Sequence, residues 1–396
     1  MLRITPSNAA YKLIEILGEV GEYPKYSMSL FGSQRLVLRR INLLLQEEQV
    51  SIQRPETDTA PALKIEFQKP LLVSVGDGHG KGIRLSKTGE EALEKFFPQT
   101  FEFYQESFNR NTAPSTNRHR DRYHRCAETV ALFKLAGIET LPTRLPELRR
   151  NGAPQDAPMQ PSYYPSRSVK DGGDLAELDK TSYTRYCGIF FSGNTCYPVY
   201  NTRSAAMKWS ASGELKAKYD ISLVARLNGD IREVEDAILL GEAGIELKVK
   251  QLTDRDKEGL MGFGLFGCYY NVHFIPLSCD GIEMLQLFTI ADWHNKLLHY
   301  LYDDDSDCEV RDRDTDTFPY NLVSDTAFTM SYLDGNLSRL LRFVAAASDE
   351  HSRRGRRMIL LCFDHQVDVC KKMIAGLNVE LNATSVATVK QIVSEL

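Results

Sequence analysis

The stretch EDAILLGEAGIELKVK (235–250) carries the side chains best suited to breaking a bond. Asp236 is followed ten residues later by Glu246, and Lys248 lies two further on. Two carboxylates can hold a Mg²⁺ ion while a lysine orients the attacking water, as metal-assisted phosphodiester hydrolysis requires. Glu214, in the preceding segment, would be an additional acid. A plainer role competes: Ile245, Val249 and Leu252 recur at helical spacing, which leaves Glu246 and Lys248 as an exposed pair on a helix. Read instead as a strand, Ile245, Leu247 and Val249 alternate.

Other chemical motifs fail on spacing. GDGHGKG (76–82) has three residues, not four, between its first Gly and the Gly-Lys pair, Gly82 follows the lysine, and IRL behind it reads as a strand. It is therefore a hairpin tip rather than a phosphate loop. His294 and His299 are five apart and fall off a common helical face, so no metal site is expected from them. Neither Gly-x-Ser-x-Gly nor a dinucleotide fingerprint is present. No cofactor is expected beyond the Mg²⁺ of the nuclease reading.

Basic side chains make the second kind of chemistry, contact with phosphate. Arg35, Arg39 and Arg40 share SQRLVLRRINLLLQEEQV (33–50), Lys81 and Arg84 flank the hairpin tip, and Arg118, Arg120, Arg122 and Arg125 open STNRHRDRYHRCAETVALF. The net charge is −5, which argues against a nucleic-acid partner until it is divided along the chain. Residues 1–150 hold 22 Lys/Arg against 18 Asp/Glu; the remainder holds 26 against 35. A basic third on an acidic body has two different electrostatic roles.

The elements that would position these groups follow from periodicity. SNAAYKLIEILGEV (7–20) is a helix opened by Ser7 and stopped by Gly21 and Pro24. A short apolar segment, SMSLFG, precedes the arginine-bearing helix 33–50, with Leu36, Ile41, Leu44 and Leu45 expected on its inner side. LKIEF, LLVSV and IRL are β-like, and Thr88 with Glu91 has capping-box spacing for the next helix. Helix, short helix, longer basic helix and Gly-turned hairpin is the order of a winged helix-turn-helix, in which the third helix enters the major groove. The same order also suits a small packing unit with a solvated charged face.

The expected organisation is thus an α/β multidomain chain: a winged helix-turn-helix at 1–100 and a basic helical extension at 101–150, which suits phosphate contact or a homodimer. A Pro/Gly-rich linker at 151–180 and an α/β domain at 181–396 complete it. In the last, MILLCFD and VELNAT repeat the pattern of AILLG and VHFIPLS, each an apolar strand before a helix, which predicts two strand-helix-strand-helix units on a mainly parallel sheet. Chain length supports two or three domains, and a 42% hydrophobic composition excludes wholesale disorder. With a mean hydropathy of −0.32 no transmembrane segment is expected, and no secretory signal opens the chain. Eight cysteines without a C-x-x-C pair suit reduced thiols in the cytoplasm.

YKLIEILGEVGEYP, RRINLLLQEEQVSI, RLSKTGEEAL and RYHRCAETVALFKLAGIE together resemble the replication-relaxation family. These are winged-helix proteins of plasmids and integrative conjugative elements of Gram-positive bacteria. The likeness is best over roughly residues 8–140. It implies a double-stranded DNA-binding protein of a mobile element, acting in replication, transfer or their regulation. Arg35, Arg39 and Arg40 would then meet bases or phosphates, and Lys81, Arg84, Arg118, Arg120, Arg122 and Arg125 the backbone. The alternative enzyme resembles the PD-(D/E)XK endonucleases, with Asp236, Glu246, Lys248 and Glu214, although no proline precedes Asp236. A third reading makes the winged helix a docking or dimerisation module and the acidic α/β domain a binder of a protein partner.

Overall fold

The structure, a computed structural model, describes residues 2–46, 49–57, 61–76, 81–108, 117–145, 160–171, 185–205, 218–219, 221–222, 225, 234–255, 269–302, 308–310, 319–349, 351 and 355–395. The chain is mixed α/β and divides into two compact units. Unit 1 spans Met1–Leu145 with Tyr163–Pro165, and unit 2 spans Pro146–Ser162 and Ser166–Leu396. Among the described residues no helix is long and apolar enough to cross a membrane.

Unit 1 begins with β1 (Leu2–Ile4) and α1 (Ala9–Val20). Leu13, Ile14 and Leu17 are almost wholly buried on α1. Gly21 stops the helix at φ +70°, donating its N–H to the Leu17 carbonyl at 2.7 Å, a left-handed cap that glycine takes without penalty. Strand β2 (Tyr23–Pro24) and a 3₁₀ segment (Lys25–Phe31) lead to α2 (Gln34–Gln46). Two hairpins follow, β3 (Val50–Arg54) with β4 (Leu63–Phe67), and β5 (Leu72–Val75) with β6 (Gly82–Leu85). The sheet orders are β1-β3-β4, with β1 parallel to β3, and β2-β6-β5, antiparallel throughout.

Three helices complete the run: α3 (Lys87–Phe96), α4 (Pro98–Phe108) and α5 (Asn117–Leu135). The cap of α3 is Ser86, not Thr88: the Ser86 hydroxyl accepts from the Gly89 N–H at 3.0 Å and donates to the Pro70 carbonyl at 2.6 Å. The stretch read as a linker includes two regular elements, β7 (Ser162–Pro165) and α6 (Ser166–Asp171). Tyr163 in β7 stacks on Phe133 of α5 at 4.3 Å between ring centroids.

Unit 2 is built twice on one plan. Hairpin β8 (Tyr186–Ser192) and β9 (Thr195–Arg203) precedes β10 (Asp236–Gly241), α7 (Ile245–Arg255), β11 (Asn271–Pro276), α8 (Cys279–Phe288) and α9 (Trp293–Tyr302). The second copy runs β12 (Cys308–Val310), hairpin β13 (Leu322–Ser324) and β14 (Ala327–Ser331), α10 (Leu337–Ala347), β15 (Arg357–Phe363), α11 (Val367–Met373), β16 (Val379–Thr384) and α12 (Val386–Glu395). In each, the strand closing the hairpin runs parallel to the next two: β9 with β10 and β11, β14 with β15 and β16. The strand before it is antiparallel, as are β12 and β13. The sheets are therefore mixed and two in number, not one mainly parallel sheet. Two-residue turns such as Gly193-Asn194 can only reverse a strand, whereas the helix-bearing connections allow parallel return.

Candidate functional site

Helix α2 is one-sided. Val37, Ile41 and Leu44, at i, i+4 and i+7, are buried, and Arg35, Arg39 and Arg40 are exposed on the remaining surface. Leu36, expected inward, is 61% exposed and lies among those arginines. It is one residue, roughly 100° of helical rotation, away from the buried stripe. Among the described residues none of the three guanidinium groups has an ion-pair or hydrogen-bond partner. Lys81 is exposed at the foot of β6, where its carbonyl accepts from the Lys25 N–H at 3.0 Å. Tip residues 77–80 lie outside the described ones.

The other basic residues face inward or pair locally. Glu22, between α1 and β2, is 1% exposed, a position that a carboxylate tolerates only with compensating partners. Arg84 of β6 donates from Nε to Glu22 Oε2 at 2.8 Å. Arg120 Nε of α5 lies 3.3 Å from Glu22 Oε1, and His124 Nε2 hydrogen-bonds the same oxygen at 2.7 Å. Burial pushes the Glu22 pKa up, but His124 and Arg84 more than offset it and hold it below the ordinary value. Gly82 leaves room for the carboxylate: a Cβ there would lie 2.7 Å from Glu22 Oε1. Arg125 pairs with Asp121 one helical turn away, and Arg122 is half-buried and also engaged. The Arg118 side chain lies outside the described residues. Arg84 and Arg120, expected on phosphates, are thus the cations of an internal site. Glu22 itself escaped sequence reading; its only signal is an acid lodged between a helix-stopping Gly and an apolar strand.

The acids and lysine of the nuclease reading do not converge. Asp236 opens β10 and Glu246 follows its far end on α7, so the strand alone separates them by roughly 17 Å. Glu246 is 3% exposed and its Oε2 accepts from the Gly244 N–H at 3.1 Å; burial lifts its pKa to about 7. Lys248 is exposed and donates to the Ser204 carbonyl, while Glu214 lies outside the described residues. No group of three or more His, Cys, Asp or Glu able to hold a metal occurs among the described residues.

Asp236 instead belongs to a polar ladder beside a cavity of unit 2. Asn271 Nδ2 donates to Asp236 Oδ1 at 2.6 Å, and Asn336 Nδ2 donates to Asn271 Oδ1 at 2.7 Å. Deeper in the cavity, Asp334 is 6% exposed, with Oδ2 at 3.5 Å from His273 Nδ1 and 4.0 Å from His294 Nδ1. His294 Nε2 hydrogen-bonds Ser331 Oγ at 2.7 Å. Ser331, His294 and Asp334 have the residue types of a hydrolase triad, but Ser331 is fully buried and cannot meet a substrate. Burial lowers the His294 pKa to about 4, which keeps the ring neutral. Burial opposes ionisation of Asp334, yet His294, His273 and Arg339 together hold its pKa below the ordinary value.

Comparison of the chain with protein-family models, with curated proteins and with solved structures finds no match.

Proposed function

We propose that unit 1 is a winged helix-turn-helix module that binds double-stranded DNA through α2. The observation that carries this reading is the exposed guanidinium face of α2, without a partner among the described residues, opposite the stripe that anchors the helix. A partner that supplies phosphates and base edges satisfies both the charge and the reach of Arg35, Arg39 and Arg40. Support comes from the element order α1, β2, 3₁₀ segment, α2 and hairpin β5-β6, with β6 pairing β2 as the inner strand of a wing. Lys81 at the foot of that hairpin is the exposed wing residue that would meet the backbone, whereas Arg84 and Arg120 are engaged at Glu22. The resemblance to replication-relaxation proteins makes replication or transfer of a mobile element the setting of this binding.

The test is selection of bound duplexes from a random pool, followed by a salt titration of the selected site. Affinity falls steeply with salt, and Arg39→Ala with Arg40→Ala abolishes specific binding while the fold persists. Binding that survives both changes overturns the placement on α2. Unchanged mobility of every DNA probe, with a stable protein complex, replaces it with the docking-module reading.

A further inference from the structure

The cavity of unit 2 has a volume of about 1030 Å³, at the upper end of the ~300–1,000 Å³ typical of small-molecule sites. Its mouth lies where β9, β10 and β11 begin. Among the described residues four carboxylates line it, Glu235, Asp236, Asp292 and Asp334, against one guanidinium, that of Arg339. His294 does not redress that imbalance, since burial keeps its ring uncharged near neutral pH. An anion is therefore repelled and a cation drawn in.

A bare metal ion does not suit the lining. No group of three or more His, Cys, Asp or Glu able to hold one occurs among the described residues. One wall is aromatic instead: Phe288 lies edge-to-face with Tyr197 at 5.8 Å and packs against Trp293 at 6.0 Å. Aromatic walls favour cations that carry carbon and shed water readily. Ser192 adds an independent sign of a missing partner. It is 5% exposed, lines the cavity, and among the described residues its Oγ has no hydrogen-bond partner, an omission that is costly unless a ligand completes it.

We infer that this cavity binds a small organic cation, an alkylammonium or guanidinium compound. Asp236 and Asp292 pair with its charge, Ser192 Oγ accepts from one of its N–H groups, and the aromatic wall covers its carbon chain. Asp236 and Asp292 each accept one amide N–H, from Asn271 at 2.6 Å and Asn295 at 3.0 Å, which aims the carboxylates while leaving oxygen lone pairs for the ligand. This site is separate from the DNA reading of unit 1 and does not depend on it.

The experiment is calorimetric titration of the full chain with spermidine and, separately, with agmatine, beside 1,4-butanediol as a neutral counterpart and MgCl₂ as an inorganic one. Saturable one-to-one binding of either amine is expected, and the stronger of the two identifies the head group. Asp236→Asn, Asp292→Asn and Ser192→Ala each weaken it tenfold or more with unchanged thermal melting; Asp292 is on the exposed rim, so its variant tests the site even if another fails to fold. Absence of saturable binding by both amines overturns the inference. So does equal binding of butanediol, equal competition by Mg²⁺, or amine binding indifferent to Asp292→Asn. DNA affinity measured on the same samples is expected to be unaffected by these three changes.

Discussion

Glu22 and Glu246 are both buried acids, 1% and 3% exposed, yet they titrate in opposite directions. Glu22 meets Arg84, Arg120 and His124, and its pKa falls below 4.5; among the described residues Glu246 meets only backbone N–H groups, and burial lifts its pKa to about 7. Desolvation acts on both, so the difference is the supply of cations. That supply explains a second contrast. Arginines that look alike in the sequence divide into a set neutralising Glu22 and a set left facing solvent on α2. A cluster of positive charge becomes a candidate surface for phosphate only after the buried acids have taken their partners.

The largest expected effect comes from removing the acid that organises the first region. Glu22→Ala strands Arg84, Arg120 and His124 around an empty site and lowers stability by about 3–5 kcal/mol, read as a lowered thermal midpoint and faster amide exchange in β6 and α5. A change below about 1 kcal/mol would show that solvent, not Glu22, satisfies these cations. The depressed pKa of Glu22 also sets a direction with pH. Its contribution is present above the ordinary value of 4.5 and is lost as pH falls through the folded-state value.

Glu246 has the reverse sign. With a folded pKa of about 7 against 4.5 when unfolded, it leaves stability intact below pH 4.5 and erodes it as pH rises through 7. Glu246→Gln keeps an acceptor for the Gly244 N–H and is expected to gain up to roughly 3 kcal/mol at pH 8 and little at pH 4, checked by denaturant titration at both. Equal effects at the two pH values would remove the contrast with Glu22.

Two smaller changes sharpen the division among arginines. Arg39→Ala is expected to weaken DNA binding by about 1–3 kcal/mol with no loss of stability, and each phosphate contact removed lowers the logarithmic salt slope by about 0.9. Arg120→Ala should do the opposite, lowering the melting temperature with little direct effect on the salt slope. Melting curves and anisotropy titrations of both variants measure this crossing. Smallest is Arg125→Ala, which breaks a one-turn helical pair with Asp121 and costs about 0.3–0.5 kcal/mol by the same melting assay.

Much of the fold is legible where it depends on near neighbours. The spacing of Leu13, Ile14 and Leu17 predicts α1, the Gly-rich stretch at 76–82 separates two strands that pair, and the apolar runs at 237–241 and 358–363 mark β10 and β15. Leu36 shows the limit of such reading. Periodicity identifies α2 as a helix but not its phase, because Leu36 and Val37 are both apolar and only the packing of neighbours chooses between them. Ser86 displaced Thr88 as a cap because its hydroxyl also reaches Pro70, sixteen residues earlier. Mixed rather than parallel sheets follow from turns too short to permit a crossover.

The candidate sites were less legible, for a related reason. Asp236 is close in sequence to Glu246 and Lys248 but is parted from them by the length of a strand, since β10 carries the chain from one end of its sheet to the other. Conversely, Glu22 lies 62 residues from Arg84 and 102 from His124, and Asp334 lies 61 from His273. The sequence by itself determined the mixed α/β class, helices α1 and α2, the β5-β6 hairpin, the apolar strands β10 and β15 and the positive charge of the first 150 residues. Only the tertiary structure decided which acids are buried, which arginines answer them, and which carboxylates share a cavity. Local periodicity is a property of neighbouring residues, whereas desolvation and charge pairing depend on distances that exist only after the chain has folded.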